Sequence, residues 1–196
     1  MMPGEGSIRP RALLLDRDGV INVDHGYVHQ VQDFEFVPGI FDLARAAHLQ
    51  HYQVFVTTNQ AGIARGFYSE KQFHELTAWM CSEFASRGAP IAQVYFSPYH
   101  PTEGLGMYRK DDVSRKPHPG MILQAQSEFN LDLASSILIG DKASDIRAGI
   151  AAGVGHNILL APSEPGDLQG AVYQWIAGLG EALAFFHAGH PVEASP

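Results

Sequence analysis

Short unbroken apolar runs alternate along this chain with stretches of helical period. Residues 12–15 are continuously apolar, the pattern of a strand covered on both faces rather than one with a wet side. Residues 53–57, 92–96, 137–140 and 158–160 predict four further strands. Between them, Pro38-Gly39 opens a helix to about Leu49 with Ile40, Leu43, Ala44 and Ala47 on one face. A second helix spans 69–86, with Ser69 as N-cap and Gln72 completing a capping box, and its apolar stripe is Phe73, Leu76, Trp79, Met80 and Phe84. Helices at 121–129, where the proline at 117 can begin the turn, and at 144–152 follow; residues 171–186 predict a short edge strand and a closing helix. Strands alternating with helices predict an α/β fold, a Rossmann-like three-layer sandwich around a mainly parallel sheet. Residues 20–37 and 97–114 fit neither period and read as loops. The second, with Pro98, Pro101, Gly104 and Gly106, is long enough to suggest a functional insertion. The expected organisation is a flexible leader at 1–10, one domain at 11–188 and a flexible tail at 189–196.

Composition narrows the function classes. A chain of 196 residues that is 45% hydrophobic can bury a full core. Thirteen Lys and Arg against 21 Asp and Glu give a net charge of −8, which offers no basic field for a nucleic-acid backbone. The one cysteine, Cys81, excludes an intrachain disulfide and suits a reducing compartment. No run is long enough to span a membrane and the first ten residues lack a signal-peptide core, so the expectation is a cytoplasmic protein with no membrane partner. No long exposed apolar pattern demands a second subunit, which favours a monomer.

The candidate chemistry sits where apolar runs end. Leu13-Leu14-Leu15 leads into Asp16-Arg17-Asp18-Gly19, placing two carboxylates two residues apart on one side of an extended chain, with a glycine to turn it. Acids this close resist ionising together unless a cation shares the site. An oxygen-rich, thiol-free set suits Mg2+, and an Asp held against Mg2+ and a phosphoryl group can act as nucleophile while its neighbour moves a proton. The second strand ends in Thr57-Thr58-Asn59-Gln60-Ala61-Gly62, a source of neutral donors for phosphate oxygens that, taken alone, equally suits an ordinary turn. In Arg115-Lys116-Pro117, Lys116 can hold the phosphoryl group and Arg115 offers a planar fork to a second anion. The strand at 137–140 runs into Asp141-Lys142-Ala143-Ser144-Asp145; Asp141 can complete the metal site, and Asp145 is expected to orient backbone or Lys142. Among Asn22, Asp24, His25, Gly26 and Tyr27 in the first loop, His25 and Tyr27 are candidates for substrate contact. In a parallel sheet such residues converge outside the carboxyl ends of the strands.

The four pieces Asp16-Arg17-Asp18-Gly19, Thr58-Asn59, Lys116 and Gly140-Asp141 with Asp145 resemble the four motifs of the haloacid dehalogenase (HAD) superfamily of phosphatases, over roughly residues 11–160. Within it, residues 22–28, 58–66 and 115–121 resemble the heptose bisphosphate phosphatase family, with histidinol phosphate phosphatases as the neighbouring alternative. A catalytically silent sugar-phosphate-binding protein is the alternative from another class. The resemblance implies a HAD-like core without a large cap domain, acting on a small-molecule sugar bisphosphate. It implies Asp16 as nucleophile and Asp18 as general acid and then base. It also implies Mg2+ on the carboxylates of Asp16 and Asp141 and on the main-chain carbonyl of Asp18. Thr58 and Lys116 would stabilise the phosphoryl group with help from Lys142. Asp24, His25, Gly26, Tyr27, Asn59, Gln60, Ala61 and Arg115 would contact substrate.

One departure is plain. The family commonly clamps its long loop on a structural zinc through Cys and His side chains, whose places here fall on Ser97, Tyr99, Asp112 and Ser114. Hydroxyls and one carboxylate do not replace thiolates in a tetrahedral zinc site, so no structural zinc is expected. Elemental analysis of the purified protein is expected to find less than stoichiometric zinc; one zinc per chain lost on substituting Asp112 would contradict this.

Overall fold

Burial on both faces of β1 (Arg11–Leu15) sets the architecture. Leu13 and Leu15 face one apolar layer and Ala12 and Leu14 the other, all four with no exposed surface, which is why the run is continuous rather than alternating. The computed structural model describes residues 9–163, 166, 168 and 170–187. Positions 1–8 of the expected leader and the whole expected tail at 189–196 lie outside the described residues.

Six parallel strands form one sheet. They are β1, β2 (Tyr52–Asn59), β3 (Ile91–Ser97), β4 (Ile137–Gly140), β5 (His156–Leu160) and β6 (Gln174–Ile176), in the spatial order β3-β2-β1-β4-β5-β6. The register pairs Leu13 with Val54 on one side and with Ile137 on the other. One face is covered by α1 (Ile40–Leu49) and α3 (Glu70–Ser86), whose Leu43, Ala47, Met80 and Phe84 pack with Leu15, Val56 and Ile139. Two short helices, α6 (Leu179–Ala182) and α7 (Ala184–His187), close the same face. On the other face α4 (Gly120–Phe129) and α5 (Ala143–Ala152) bring Met121, Ile122, Ala125 and Ile146 against Leu14, Phe55 and Leu138. A four-residue helix, α2 (Ala61–Ala64), follows β2 directly.

The predicted elements are present with shifted ends. The capping box of α3 forms as expected: Gln72 N donates to Ser69 Oγ (3.3 Å) and Ser69 N donates to Gln72 Oε1 (2.9 Å). Helix α4 begins at Gly120, not at the proline at 117. α2 went unpredicted because four residues carry too little periodicity to read. The chain after β6 forms two short helices instead of one. The loop at 20–37 buries Val20, Ile21, Val28 and Phe34, so it is part of the core rather than a flap upon it. Among the described residues no inserted segment is large enough to form a cap.

The order of strands fixes where a ligand can sit. From β1 the chain runs outward to β2 and β3, then returns across to β4 on the other side of β1, so the connections diverge between β1 and β4. At such a switch point a crevice opens beyond the carboxyl ends. Phe55, fully buried and edge-on to Phe129 at 4.9 Å, anchors the α4 face behind that crevice. Phe55→Ala is expected to cost about 3–5 kcal/mol of stability in urea unfolding, with the far-ultraviolet spectrum of the folded state unchanged; a loss below about 1 kcal/mol would show that this face contributes little.

Candidate active site

Asp16 is the first residue beyond β1, Thr58 and Asn59 end β2, and Asp141 is the first residue beyond β4. The first two segments open into one cleft of about 240 Å³, which the chain after β4 reaches through Lys142, Ser144 and Asp145. Its walls include Asp16, Asp18, Asp24, Gly26, Tyr27, Thr58, Asn59, Ala61, Lys116, Lys142 and Asp145. Of the residues expected at a site, His25, Gln60, Arg115 and Asp141 are not on these walls; Asp141 lines an adjoining depression with Gly19. Tyr68 and Ser144, not singled out in the sequence, are on the walls.

A buried ammonium organises the floor. Lys116 Nζ donates to Thr57 O (2.7 Å) and pairs with Asp16 Oδ1 (3.0 Å) and Asp145 Oδ1 (2.5 Å), so its three protons face three oxygens. Burial opposes its charge, but Asp145 and Asp16 outweigh that and hold its pKa above the ordinary lysine value. Asn59 clamps the same residue's backbone: its Oδ1 accepts from Lys116 N (3.0 Å) and its Nδ2 donates to Lys116 O (2.9 Å). Asn59, expected from the sequence as a substrate contact, thus also fixes where Lys116 stands.

The carboxylates outnumber the cations that serve them. One oxygen each of Asp16, Asp141 and Asp145 lies within 4.8 Å of the others. Burial, opposed by Lys116 and reinforced by Asp145, raises the Asp16 pKa. Burial and the Asp16 charge push Asp141 up to about 7, although Lys142 Nζ stands 3.4 Å from its Oδ2. Asp141 Oδ1 is buried with no hydrogen-bond partner among the described residues. An all-oxygen set with an orphaned carboxylate oxygen and mutually raised pKa values fits a hard divalent cation such as Mg2+. The residues present therefore suit the group that the chemistry calls for. Asp145 does orient backbone, accepting from Lys142 N through Oδ2 (2.9 Å), but its pairing with Lys116 was not expected. The approach of these groups depends on two glycines. A Cβ on Gly19 would stand 2.3 Å from Asp141 Oδ2, and one on Gly140 would stand 2.2 Å from Asp145 Cβ.

Asp18 faces a different set of partners. Arg17, buried under Val28 O (2.7 Å), donates Nη2 to both its carboxylate oxygens (3.0 and 2.9 Å). Asn22 Nδ2 (3.1 Å) and Gln60 Nε2 (3.0 Å) complete the cage. Gln60 also donates to Thr58 Oγ1 (2.8 Å) and accepts from Tyr68 Oη (2.5 Å), so it sits behind the cleft and orients Asp18 and Thr58. Sequence reading missed Arg17 and Tyr68 because an arginine between two aspartates gives no sign of which way it turns.

The rim carries the remaining candidates. Lys142 Nζ pairs with Asp24 Oδ2 (3.2 Å), and Gly26 N donates to Asp24 Oδ1 (3.0 Å). Burial resists ionisation of Asp24, but the Gly26 N–H and Lys142 together hold its pKa below the usual carboxylate range. Tyr27, with φ of 56°, stands edge-on to Phe67. His25 points instead to Glu35 (3.2 Å) on a neighbouring depression, and Arg115 Nη1 donates to Tyr99 O (2.9 Å). In the 97–114 loop, Ser114 Oγ lies 3.0 Å from Ser97 Oγ and 2.7 Å from Asp112 Oδ1, and Lys110 Nζ lies 2.7 Å from Asp112 Oδ2 and 3.9 Å from the centre of the Tyr99 ring. Ser97, Asp112 and Ser114, three of the positions compared with the zinc clamp, are therefore joined by hydrogen bonds, and Lys110 links Asp112 to the ring of Tyr99 at the fourth.

This geometry agrees with what the chain is similar to. Residues 113–161 match the HAD-hydrolase-like family model. Over 153 residues, 78% of this chain and 81% of the relative, it is 56% identical to D-glycero-alpha-D-manno-heptose-1,7-bisphosphate 7-phosphatase of Burkholderia mallei. The chain belongs to the heptose-1,7-bisphosphate 7-phosphatase family. It is also 47% identical to the beta-anomer enzyme of Vibrio cholerae, with 81% of this chain and 86% of that one covered. The crystal structure of D,D-heptose 1,7-bisphosphate phosphatase from B. bronchiseptica, complexed with magnesium and phosphate, shares the fold at a TM-score of 0.76 and 24% identity, covering 89% of this chain and 97% of that one.

The raised Asp141 pKa gives the metal-free protein a defined pH response. Its folded form keeps a proton that the unfolded chain, with an ordinary value of 3.8, gives up. That contribution to stability is complete below 3.8 and is lost as pH rises through about 7. Mg2+ is therefore expected to raise Tm more at pH 8 than at pH 5.5, as read by differential scanning fluorimetry; equal gains at both pH values would contradict the assignment.

Proposed function

We propose that this protein hydrolyses the 7-phosphate of D-glycero-D-manno-heptose 1,7-bisphosphate, releasing inorganic phosphate and heptose 1-phosphate through an aspartyl-phosphate intermediate. The observation that carries the reading is the buried Lys116 ammonium joined to Asp16 at the mouth of β1, beside an acidic cluster with more charge than its lysines neutralise. The identity to enzymes named for this reaction supports the choice of substrate.

Asp16 Oδ1 is held by Arg17 N (2.7 Å) and Lys116 Nζ, which orients the carboxylate and leaves Oδ2 to attack. As the Asp16–phosphorus bond forms, the bond from phosphorus to the sugar O7 breaks and Asp18 gives its proton to that oxygen. Asp18 then takes a proton from water, which displaces Asp16 from phosphorus. For both transfers the Asp18 carboxyl turns from its cage of Arg17, Asn22 and Gln60 toward the cleft. Mg2+, held by the carboxylates of Asp16 and Asp141 and the carbonyl of Asp18, would neutralise charge on the phosphoryl oxygens. Lys116, Thr58 and Lys142 stabilise the same charge from the protein side, so that catalysis rests on positioning and electrostatics. Asp24, Gly26, Tyr27, Asn59 and Ala61 line the path of the sugar, with Arg115 at its far end, while His25 and Gln60 act from outside the walls.

The same reading makes the protein a cytoplasmic monomer that supplies nucleotide-activated heptose synthesis for lipopolysaccharide or other surface glycans, with no nucleic-acid or membrane partner and no structural zinc. No helix among the described residues is long and apolar enough to cross a membrane.

Phosphate release with Mg2+ from both anomers of the bisphosphate and from histidinol phosphate tests the substrate. The expected result is a strong preference for one heptose anomer and loss of at least about 10³-fold in kcat for Asp16→Asn. Comparable turnover by Asp16→Asn would remove the nucleophile assignment, and preference for histidinol phosphate would replace the substrate.

A further inference from the structure

The cleft has a cationic outer rim that the hydrolytic step does not use. Arg65 is the residue that caps α2, the short helix whose other end follows Thr58 and Asn59, so one rigid element links the phosphoryl site to this arginine. At a rise of about 1.5 Å per residue, the turn from Gln60 to Arg65 spans roughly 8 Å, the order of the distance between the two ends of a seven-carbon sugar. The Arg65 guanidinium lies 5.6 Å from the centre of the Tyr27 ring, and Tyr27 is part of the cleft wall.

Two basic groups meet there on one carboxylate, with a third nearby. Arg65 Nη2 is ion-paired with Glu103 Oε2, and the same oxygen lies 3.8 Å from His100 Nε2. Arg115, half-buried, stands close enough that burial and then the Arg65 charge lower its pKa. His100 is lowered by burial and then by Arg115 and Arg65. Arg65 Nε is buried with no hydrogen-bond partner among the described residues. In a protein of net charge −8, the Arg65 guanidinium has Glu103 as its ion-pair partner and a buried Nε left over, which makes it a ready receiver of a second anion.

We propose that Arg65 is a specificity-determining residue which, together with Arg115, receives the phosphate on C1 of the sugar, and that Glu103 occupies this place until substrate displaces it. The inference rests on the substrate reading above and deepens it. Glu103 lies on the 97–114 loop, whose Leu105 N donates to Ala64 O (2.8 Å) at the end of α2. Arrival of the 1-phosphate therefore exchanges one anion for another at Arg65 without unfastening the loop. A monophosphate lacking that group leaves Glu103 in place.

Steady-state kinetics of the wild type, Arg65→Gln, Arg65→Lys and Glu103→Gln on heptose 1,7-bisphosphate and on heptose 7-phosphate test this. Loss of a charge-assisted contact is expected to raise KM for the bisphosphate about tenfold in Arg65→Gln, with kcat little changed and the monophosphate unaffected. Arg65→Lys keeps charge without the fork and falls between. Glu103→Gln removes the competing anion and lowers KM for the bisphosphate. If the ion pair serves only to pin the loop, Arg65→Gln and Glu103→Gln will change KM in the same direction and on both substrates, which overturns the proposal. A wild type that shows no preference for the bisphosphate over the monophosphate overturns the substrate reading itself. A preference that survives intact in Arg65→Gln overturns only the role of Arg65.

Discussion

Everything at this site depends on one ammonium being held where water does not reach. Lys116 is 4% exposed and stands between two carboxylates and a carbonyl. A buried charge survives only if its partners satisfy it, and here three partners on two strands and a helix do so. Asp16 arrives from the end of β1, Thr57 from β2 and Asp145 from the first turn of α5, so the contact ties together both halves of the sheet across its switch point. Asn59 adds two hydrogen bonds to the Lys116 backbone. The proposed nucleophile, Asp16, is therefore oriented by the same ammonium that would face a transferring phosphoryl group.

The remaining charge imbalance is what makes the cleft a place for a cation and a phosphate. Lys116 answers Asp16 and Asp145, and Lys142 is divided between Asp141 and Asp24. Asp141 is left with a buried oxygen and a pKa near 7. Gly19 and Gly140 permit this crowding because neither carries a Cβ where a carboxylate must lie. Asp18 is kept apart from the cluster by Arg17 and Gln60. The two acids of one short motif thus have different surroundings, which suits the proposed division of work between them.

Much of this was legible in the residues. The unbroken 12–15 run announced a doubly covered strand, and Asp16, Thr58 and Asp141 were readable because parallel strands deliver their last residues to one edge, while Lys116 was readable from the Arg-Lys-Pro run that precedes α4. The capping box at Ser69 was readable because it is local. Arg17, Tyr68 and the second duty of Asp145 were not, since each acts through a side chain whose partner lies in another element. Gln60 was expected at the substrate and instead supports Asp18 from behind, because β2 runs on to Asn59 and α2 starts at once, turning Gln60 inward. His25 likewise turned to Glu35.

By itself, the sequence determined the α/β alternation, the parallel sheet and the set of acids and cations at its carboxyl edge. These follow from hydrophobic period and chain direction, which are local properties. Only the tertiary structure decided which acid is bonded to which cation, that Asp18 is caged while Asp141 is left with an orphaned oxygen, and that Ser97, Asp112 and Ser114 close the long loop with hydrogen bonds. Those outcomes depend on distances between segments far apart in the chain, and charges interact strongly only when packing has brought them together and excluded water.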